Sequence, residues 1–308
     1  NPGGYLDQAY KVADDFIPGG RKIVYTRGRT PDLGFDEEYN STPGGIAENI
    51  PLILLVDKYS ASASEIVSGA IQDNDRGLIV GTRTFGKGLV QRQFTMADGS
   101  GVRITIARYY TPSGRLIQRP YEKGETAKYY AALQSRKDLP EGDNISHTED
   151  KSDSSKAYHT IGGRVVYGGG GITPDYIIDP DTLSQLEKDL WSKNTYTEFV
   201  DSWMGSHRNE LTKEYKTFQQ FKDNFKVSST LQQEFIDFAK SNKKIEFTSE
   251  QFNQDKDLIQ SQLCGYIARN IWNFDGFYDV VLQGDNQFQK AITLFPEAIK
   301  IAHLESMR

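Results

Sequence analysis

The run Ser60-Ala61-Ser62-Ala63-Ser64-Glu65, followed downstream by Gly86-Lys87-Gly88 and then Gln91, decides how the first half of this chain is read. Before it lies Pro51-Leu52-Ile53-Leu54-Leu55-Val56, an apolar run of strand length. After it, Ala63, Ile66, Val67, Ala70 and Ile71 recur at i, i+3, i+4, i+7 and i+8 and form one apolar helix stripe. Ser62 therefore stands at a predicted strand-to-helix junction. Free N–H groups and the positive end of the helix dipole would stabilise a developing oxyanion there, through the N–H of Ala63. The same residues also fit S-x-x-E, a capping box in which Ser62 would do no more than cap the helix.

A serine hydroxyl becomes a nucleophile only beside a proton acceptor. The four histidines, His147, His159, His207 and His303, all lie far downstream of the serine cluster, mostly in polar or helix-like segments. Lys87 is the better candidate. It follows the apolar strand Leu78-Ile79-Val80 and is flanked by glycines, which let backbone and substrate approach closely. An amine serves as a base only in its neutral form, which requires a buried setting; the ordinary alternative is a solvated loop lysine. Gly81–Lys87 also matches the G-x-x-x-x-G-K of a phosphate-binding loop. That motif needs Ser or Thr after the lysine and a helix behind it, whereas here Gly88 follows and 89–94 reads as strand. Nucleotide binding is therefore a minor reading.

Four segments resemble the carboxyl-terminal processing peptidases, or tail-specific proteases, of serine peptidase family S41. They are Asn1-Pro2-Gly3-Gly4-Tyr5-Leu6, Ser60–Ile66, Gly81–Gln91 and Tyr110-Thr111-Pro112-Ser113-Gly114-Arg115, in the family's order. The resemblance is tight over about 1–118 and returns at Gly170-Gly171-Ile172-Thr173-Pro174-Asp175. It implies Ser62 as nucleophile, Lys87 as general base, Gln91 as the residue that orients the lysine, and an oxyanion hole from the N–H groups of Gly4 and Ala63. Residues four apart on a straight strand are separated by roughly 13 Å, so the Gln91 role requires a bend or bulge, expected around Gly86–Gly88. The resemblance further implies a crotonase/ClpP-like body of β-β-α units, and a chain lacking both the strand that leads into the N-P-G-G turn and the peptide-binding PDZ domain. It places the protein in the periplasm or cell envelope of a bacterium.

Strands are expected at 22–26, 52–56, 78–81, 89–94 and 102–110, the last two as a hairpin, with a helix from Leu6 to about Phe16. Residues about 119–161 read as a polar insertion, with about 135–157 as its most mobile part and Tyr129 and Tyr130 packing on the body. From about 182 the texture changes to polar helices with aromatic anchors, at 183–191, 211–225, 231–239, about 249–272 and 288–304. The fold class is thus α/β for 1–181 plus an all-helical domain over 182–308, whose roles would be self-association or adaptor docking.

The net charge of −6 over 308 residues argues against nucleic acid as a partner. No apolar run approaches membrane-span length. The single cysteine, Cys264, permits no internal disulfide and reads as a buried inert thiol. No cofactor or metal is expected, since no ligand-spaced His, Asp or Glu cluster occurs. The leading expectation is a Ser/Lys endopeptidase acting on exported or envelope proteins near their C-termini through an acyl-enzyme. The alternative is a non-catalytic peptide-binding or scaffold module derived from one.

Overall fold

A computed structural model describes residues 1–30, 34–122, 124–134, 136, 140–147 and 157–304. It divides into two units, one formed by Asn1–Pro180 with Lys290–Arg308 and the other by Asp181–Gln289.

In the first unit the chain runs through α1 (Leu6–Asp14), β1 (Lys22–Gly28), β2 (Glu38–Asn40), β3 (Ile53–Val56), α2 (Ala63–Asp73), β4 (Leu78–Gly81), β5 (Leu89–Thr95) and β6 (Gly101–Tyr110). It continues as α3 (Thr126–Gln134), β7 (Gly142–Asp143), β8 (Ala157–His159), β9 (Val165–Tyr167) and β10 (Tyr176–Ile177). One sheet has the order β2-β1-β6-β5 and is antiparallel throughout. A second, β3-β4-β10-β7, is parallel except for β7, and β8 pairs only with β9. The α2 stripe behaves as its spacing predicts: Ala63, Ile66, Ala70 and Ile71 are buried in one core with Ile23, Val24, Ile79 and Tyr109. Helix α2 thus joins the parallel strands β3 and β4, and its first turn is where the two sheets' contributions meet.

Strand β4 is buried on both faces. Ile79 enters that core, while Leu78 and Val80 point the other way and are covered by Ala291, Leu294 and Ala298. This apolar demand explains why the C-terminal residues belong to the first unit. The helical region drawn from sequence as 182–308 ends instead at Gln289, and the last helical turns serve β4. Behind α2, Asp175 accepts from the Ile79 N–H at 2.8 Å, from Gln72 at 3.0 Å and from Arg164 at 2.6 Å. Burial alone would favour protonation, but Arg164 and then His147 hold the Asp175 carboxyl well below the usual carboxylate range. The segment Gly170–Asp175 is thereby riveted to β4 and α2.

In the insertion, Tyr129 packs edge-on against Phe85 with ring centroids 5.9 Å apart, and the Arg119 guanidinium lies 4.2 Å from its ring centre. The expected mobility of about 135–157 falls largely on 137–139 and 148–156, outside the described residues.

The second unit comprises α4 (Gln185–Ser192), α5 (Thr195–Glu214), α6 (Phe218–Asn224), α7 (Ser229–Ser241), α8 (Ser249–Val281) and the start of α9 (Asn286–Thr293); α10 (Phe295–Ile301) returns to the first unit. The helix expected over 211–225 is in fact two. Thr217 caps α6 by accepting the Gln220 N–H, which ends α5 before it. The helix expected to stop near Trp272 instead breaks at Trp272 and Asn273 and resumes to Val281. Tyr196 stacks on Phe235 at 5.3 Å and on Tyr266 at 5.7 Å in the centre of its core. Cys264 is half-buried rather than buried, and burial pushes its thiol up to about 11, so it stays protonated.

Glu187 accepts from the Tyr196 hydroxyl at 2.8 Å and the Trp191 indole at 3.1 Å, yet burial, reinforced by Asp255, raises its pKa to about 7. A carboxyl whose folded pKa is raised adds stability that is complete below its unfolded value and lost as pH rises through the folded one. Thermal unfolding of the helical unit is therefore expected to move to lower temperature between about pH 5 and pH 8. Glu187→Gln should flatten that dependence, as read by circular dichroism melts across the range.

Candidate active site

The five residues singled out in the sequence, Gly4, Ser62, Ala63, Lys87 and Gln91, line one cleft of about 620 Å³. Leu6, Ile66 and Val90 give it an apolar floor, and Arg103 and Tyr109 complete its wall.

Ser62 occupies the junction between β3 and α2 with φ 56° and ψ −115°. A β-carbon in that backbone region costs about 1–3 kcal/mol, so its surroundings must hold it there. Ser62 and Glu65 form the capping box that the sequence suggests. The Glu65 carboxylate accepts the Ser62 N–H at 2.8 Å, and the Glu65 N–H faces the Ser62 side chain while donating to the Ser62 carbonyl at 2.8 Å. Ser62 also lines the cleft.

The lysine loop is fastened to this junction by the same carboxylate. Glu65 Oε1 accepts from the Gly86 N–H at 2.6 Å and the Thr84 hydroxyl at 2.5 Å; Oε2 accepts from the Lys87 N–H at 2.9 Å. Four donors thus converge on one fully buried side chain. Burial pushes the Glu65 carboxyl above the ordinary glutamate range, against the pull of Thr84 and of the three N–H groups. From the other side the Tyr109 hydroxyl reaches the carbonyls of Lys87 at 2.6 Å and Ser62 at 3.0 Å. Burial, and then the nearby Glu65, raises the Tyr109 pKa well above its usual value, so the phenol keeps the proton it donates. Ser62 and Lys87 are therefore tied together at both N–H and carbonyl, and their side chains share the cleft. They make no direct hydrogen bond with each other, and no carboxylate pairs with the Lys87 amine among the described residues.

The N-terminal turn closes the site. The Asn1 carbonyl accepts the Ala61 N–H at 3.1 Å and the Ser64 hydroxyl at 2.7 Å. Gly3 has φ +100°, and a side chain there would come within 2.8 Å of both the Ala63 nitrogen and Ser62 Cβ. Only glycine allows the turn this close. The N–H groups of Gly4 and Ala63 have no acceptor among the described residues, which leaves two donors available at the cleft.

Gln91 is exposed and makes no hydrogen bond to Lys87. The strand irregularity lies opposite the step from Val90 to Gln91, where Ile106 is the extra residue on β6, and not at Gly86–Gly88 as expected; Val90 and Gln91 both line the cleft. Two contributors escaped the sequence reading. Glu65 was seen only as a capping partner, and Tyr109 sits in a strand where alternation reads it as core. The buried His147, 3.3 Å from Asp175, belongs to the network at the far end of α2, about 15 Å along the helix from Ser62. It is no base for this serine.

A family profile described as peptidase family S41 matches residues 1–125. The match covers less than half of the chain. A second profile, a family of unknown function (DUF8443), matches residues 187–273. Over 120 residues the chain is 48% identical to a carboxy-terminal-processing protease of Bartonella bacilliformis, covering 38% of this chain and 26% of that protein. A carboxyl-terminal-processing protease of Synechocystis sp. is 45% identical over 119 residues, 39% of this chain and 27% of that protein. The chain thus spans about a quarter of the length of these relatives. Among solved structures, the photosystem II D1 C-terminal processing protease shares 40% identity over 37% of this chain and 28% of that one, with a TM-score of 0.34.

Removing the Glu65 carboxylate should orphan three buried N–H groups in the S41 segment at once. Glu65→Ala is expected to lower the unfolding free energy by at least about 3 kcal/mol, and Tyr109→Phe by about 1–2 kcal/mol, in urea titrations.

Proposed function

We propose that this chain is the catalytic part of a serine endopeptidase that uses a Ser/Lys pair. The strained junction that sets Ser62 in one cleft with Lys87 carries the reading. A serine that only capped α2 would need no strained backbone, yet Ser62 holds φ 56° and lines the same cleft as Lys87. In this reading the neutral Lys87 amine takes the Ser62 proton as Oγ attacks the scissile carbonyl. The oxyanion is received by the N–H groups of Gly4 and Ala63, the amine leaves with the proton, and water hydrolyses the acyl-enzyme by the reverse sequence. Gln91 orients the lysine once substrate fills the cleft.

Residues 1–180 with 290–308 form the catalytic domain in this reading, in the crotonase/ClpP-like arrangement, and 181–289 supply a helical accessory region for self-association or adaptor docking. The substrates are exported or envelope proteins cut near their C-termini in the bacterial periplasm. The match of residues 1–125 to the S41 peptidase profile and the names of the relatives support this assignment.

In the whole protein, Ser62→Ala and Lys87→Ala are each expected to abolish peptide hydrolysis with the fold intact, and the double variant to be no worse than either. Lys87→Arg should be equally inactive, because a guanidinium does not release its proton. Gln91→Ala should cost less, about 10–100-fold in kcat. An acylating inhibitor should label Ser62 alone. Turnover by Lys87→Arg, or labelling at another serine, would leave the non-catalytic peptide-binding reading.

A further inference from the structure

We infer that Arg103 and Arg108 on β6 are specificity-determining residues that select peptides carrying acidic side chains beside the bond to be cut, which rests on reading the cleft as a peptidase site. Register places both arginines on one sheet face. Arg103 lies directly opposite Gln93 and Arg108 directly opposite Leu89, with Thr105 opposite Gln91 between them. Five positions separate the two arginines, an odd number that would set them on opposite faces of a regular strand. Ile106, the extra residue on β6, brings them back to the same side. Leu89, Gln91 and Gln93 line the cleft, as Arg103 itself does. Beyond Leu89 lies a groove of about 480 Å³, where Arg108 is joined by Arg27 and Arg29. Leu89 lines both, so cleft and groove adjoin there.

The charge along this path has one sign. Lys87 and Arg103 line the cleft, Arg27, Arg29 and Arg108 line the groove, and no aspartate or glutamate among the described residues lines either. The chain as a whole carries a net charge of −6, so the path runs against its composition. Arg27 and Arg108 stand directly opposite each other on β1 and β6, an arrangement that costs stability by itself. Arg27 has a counter-charge within the unit, Asp36 at 3.8 Å, and Glu38 on the neighbouring strand is taken up by Lys22 at 3.0 Å. Arg103 and Arg108 are both exposed and have no carboxylate partner among the described residues; Arg103 reaches the Gln93 amide oxygen at 3.4 Å.

Two guanidinium groups set beside a cleft without a counter-charge are the complement of a ligand that brings its own carboxylates. Their partners Leu89 and Gln93 are four residues apart on β5, roughly 13 Å. In an extended peptide, side chains at i and i+4 share one face at that same separation. A peptide lying along β5 with acidic residues four apart would therefore meet both arginines at once.

The test uses the whole protein and three fluorescent peptides of one sequence, with two positions four apart occupied by Glu, Gln or Lys, placed in turn on either side of the cleaved bond. On one of the two sides the Glu peptide is expected to exceed the Gln peptide about tenfold in kcat/KM, roughly threefold per arginine, and the Lys peptide to fall below both. Salt should shrink these differences. Arg103→Gln with Arg108→Gln should bring the Glu/Gln ratio close to one. Arg103→Glu with Arg108→Glu should reverse the order in favour of Lys, a change that a merely structural role would not produce. Lys11→Gln, a cation elsewhere on the unit, should keep the tenfold ratio, and melts should show all variants folded. With cleavage blocked by Ser62→Ala, binding read by fluorescence anisotropy should rank the three peptides in the same order. Cleavage that ignores peptide charge on both sides, or a preference for Glu that survives charge reversal, would overturn the inference and leave the peptidase reading standing. Charge-ranked binding without cleavage of any peptide would keep Arg103 and Arg108 as peptide-selecting residues and remove the peptidase reading instead.

Discussion

Everything at the cleft depends on the convergence of four donors on the Glu65 carboxylate. A buried carboxylate is costly unless its oxygens are filled, and Glu65 fills them with the N–H groups of Ser62, Gly86 and Lys87 and the hydroxyl of Thr84. The result is geometric as much as energetic. Helix α2 brings the carboxylate from its first turn, the loop after β4 brings three of the donors, and the junction itself brings the fourth. Glu65 thus sets in register a serine loop and a lysine loop that are far apart in sequence and belong to different strand ends. Tyr109 repeats the constraint from the carbonyl side, with a phenol that burial keeps protonated.

Such bracing is what permits strain at Ser62. A non-glycine residue with φ 56° relaxes unless its neighbours over-determine it. Here the N–H is held by Glu65, the carbonyl is reached by Glu65's own N–H and by Tyr109, and the Asn1–Gly4 turn presses from outside. The local structure thereby fixes the backbone of the serine at the mouth of the cleft.

The strand-to-helix junction and the helix stripe of α2 were legible in the sequence because short-range periodicity encodes them. The strain at Ser62 was not, because S-x-x-E is the same string whether the capping residue is relaxed or strained. Gln91 shows the same limit. Its pairing with Thr105 rests on one irregular step, and nothing in Gly101–Tyr110 marks Ile106 as the extra residue. Tyr109 reads as a core aromatic from alternation, and it is one, but only the folded sheet shows its hydroxyl reaching two loop carbonyls. At the other end of the chain, the helical texture of 288–304 was plain, whereas its allegiance was decided by Leu78 and Val80 more than 200 residues earlier. Long-range burial of this kind has no local signature.

The β5–β6 ribbon unites these themes, because alternation gives its two faces opposite characters. The face with Gln91 and Gln93, paired with Thr105 and Arg103, is polar and suits hydrogen bonding to an extended peptide; the face with Phe94, Val102 and Ile104 is apolar and exposed. Since a one-residue slip would exchange the two faces, the irregular step governs both at once. It leaves Ile106 on β6 without a partner, so that Val90 meets Ala107 and Gln91 meets Thr105 while β5 alternates without a break. That one extra residue therefore sets the character of both faces, and neither could be altered in register without losing the other.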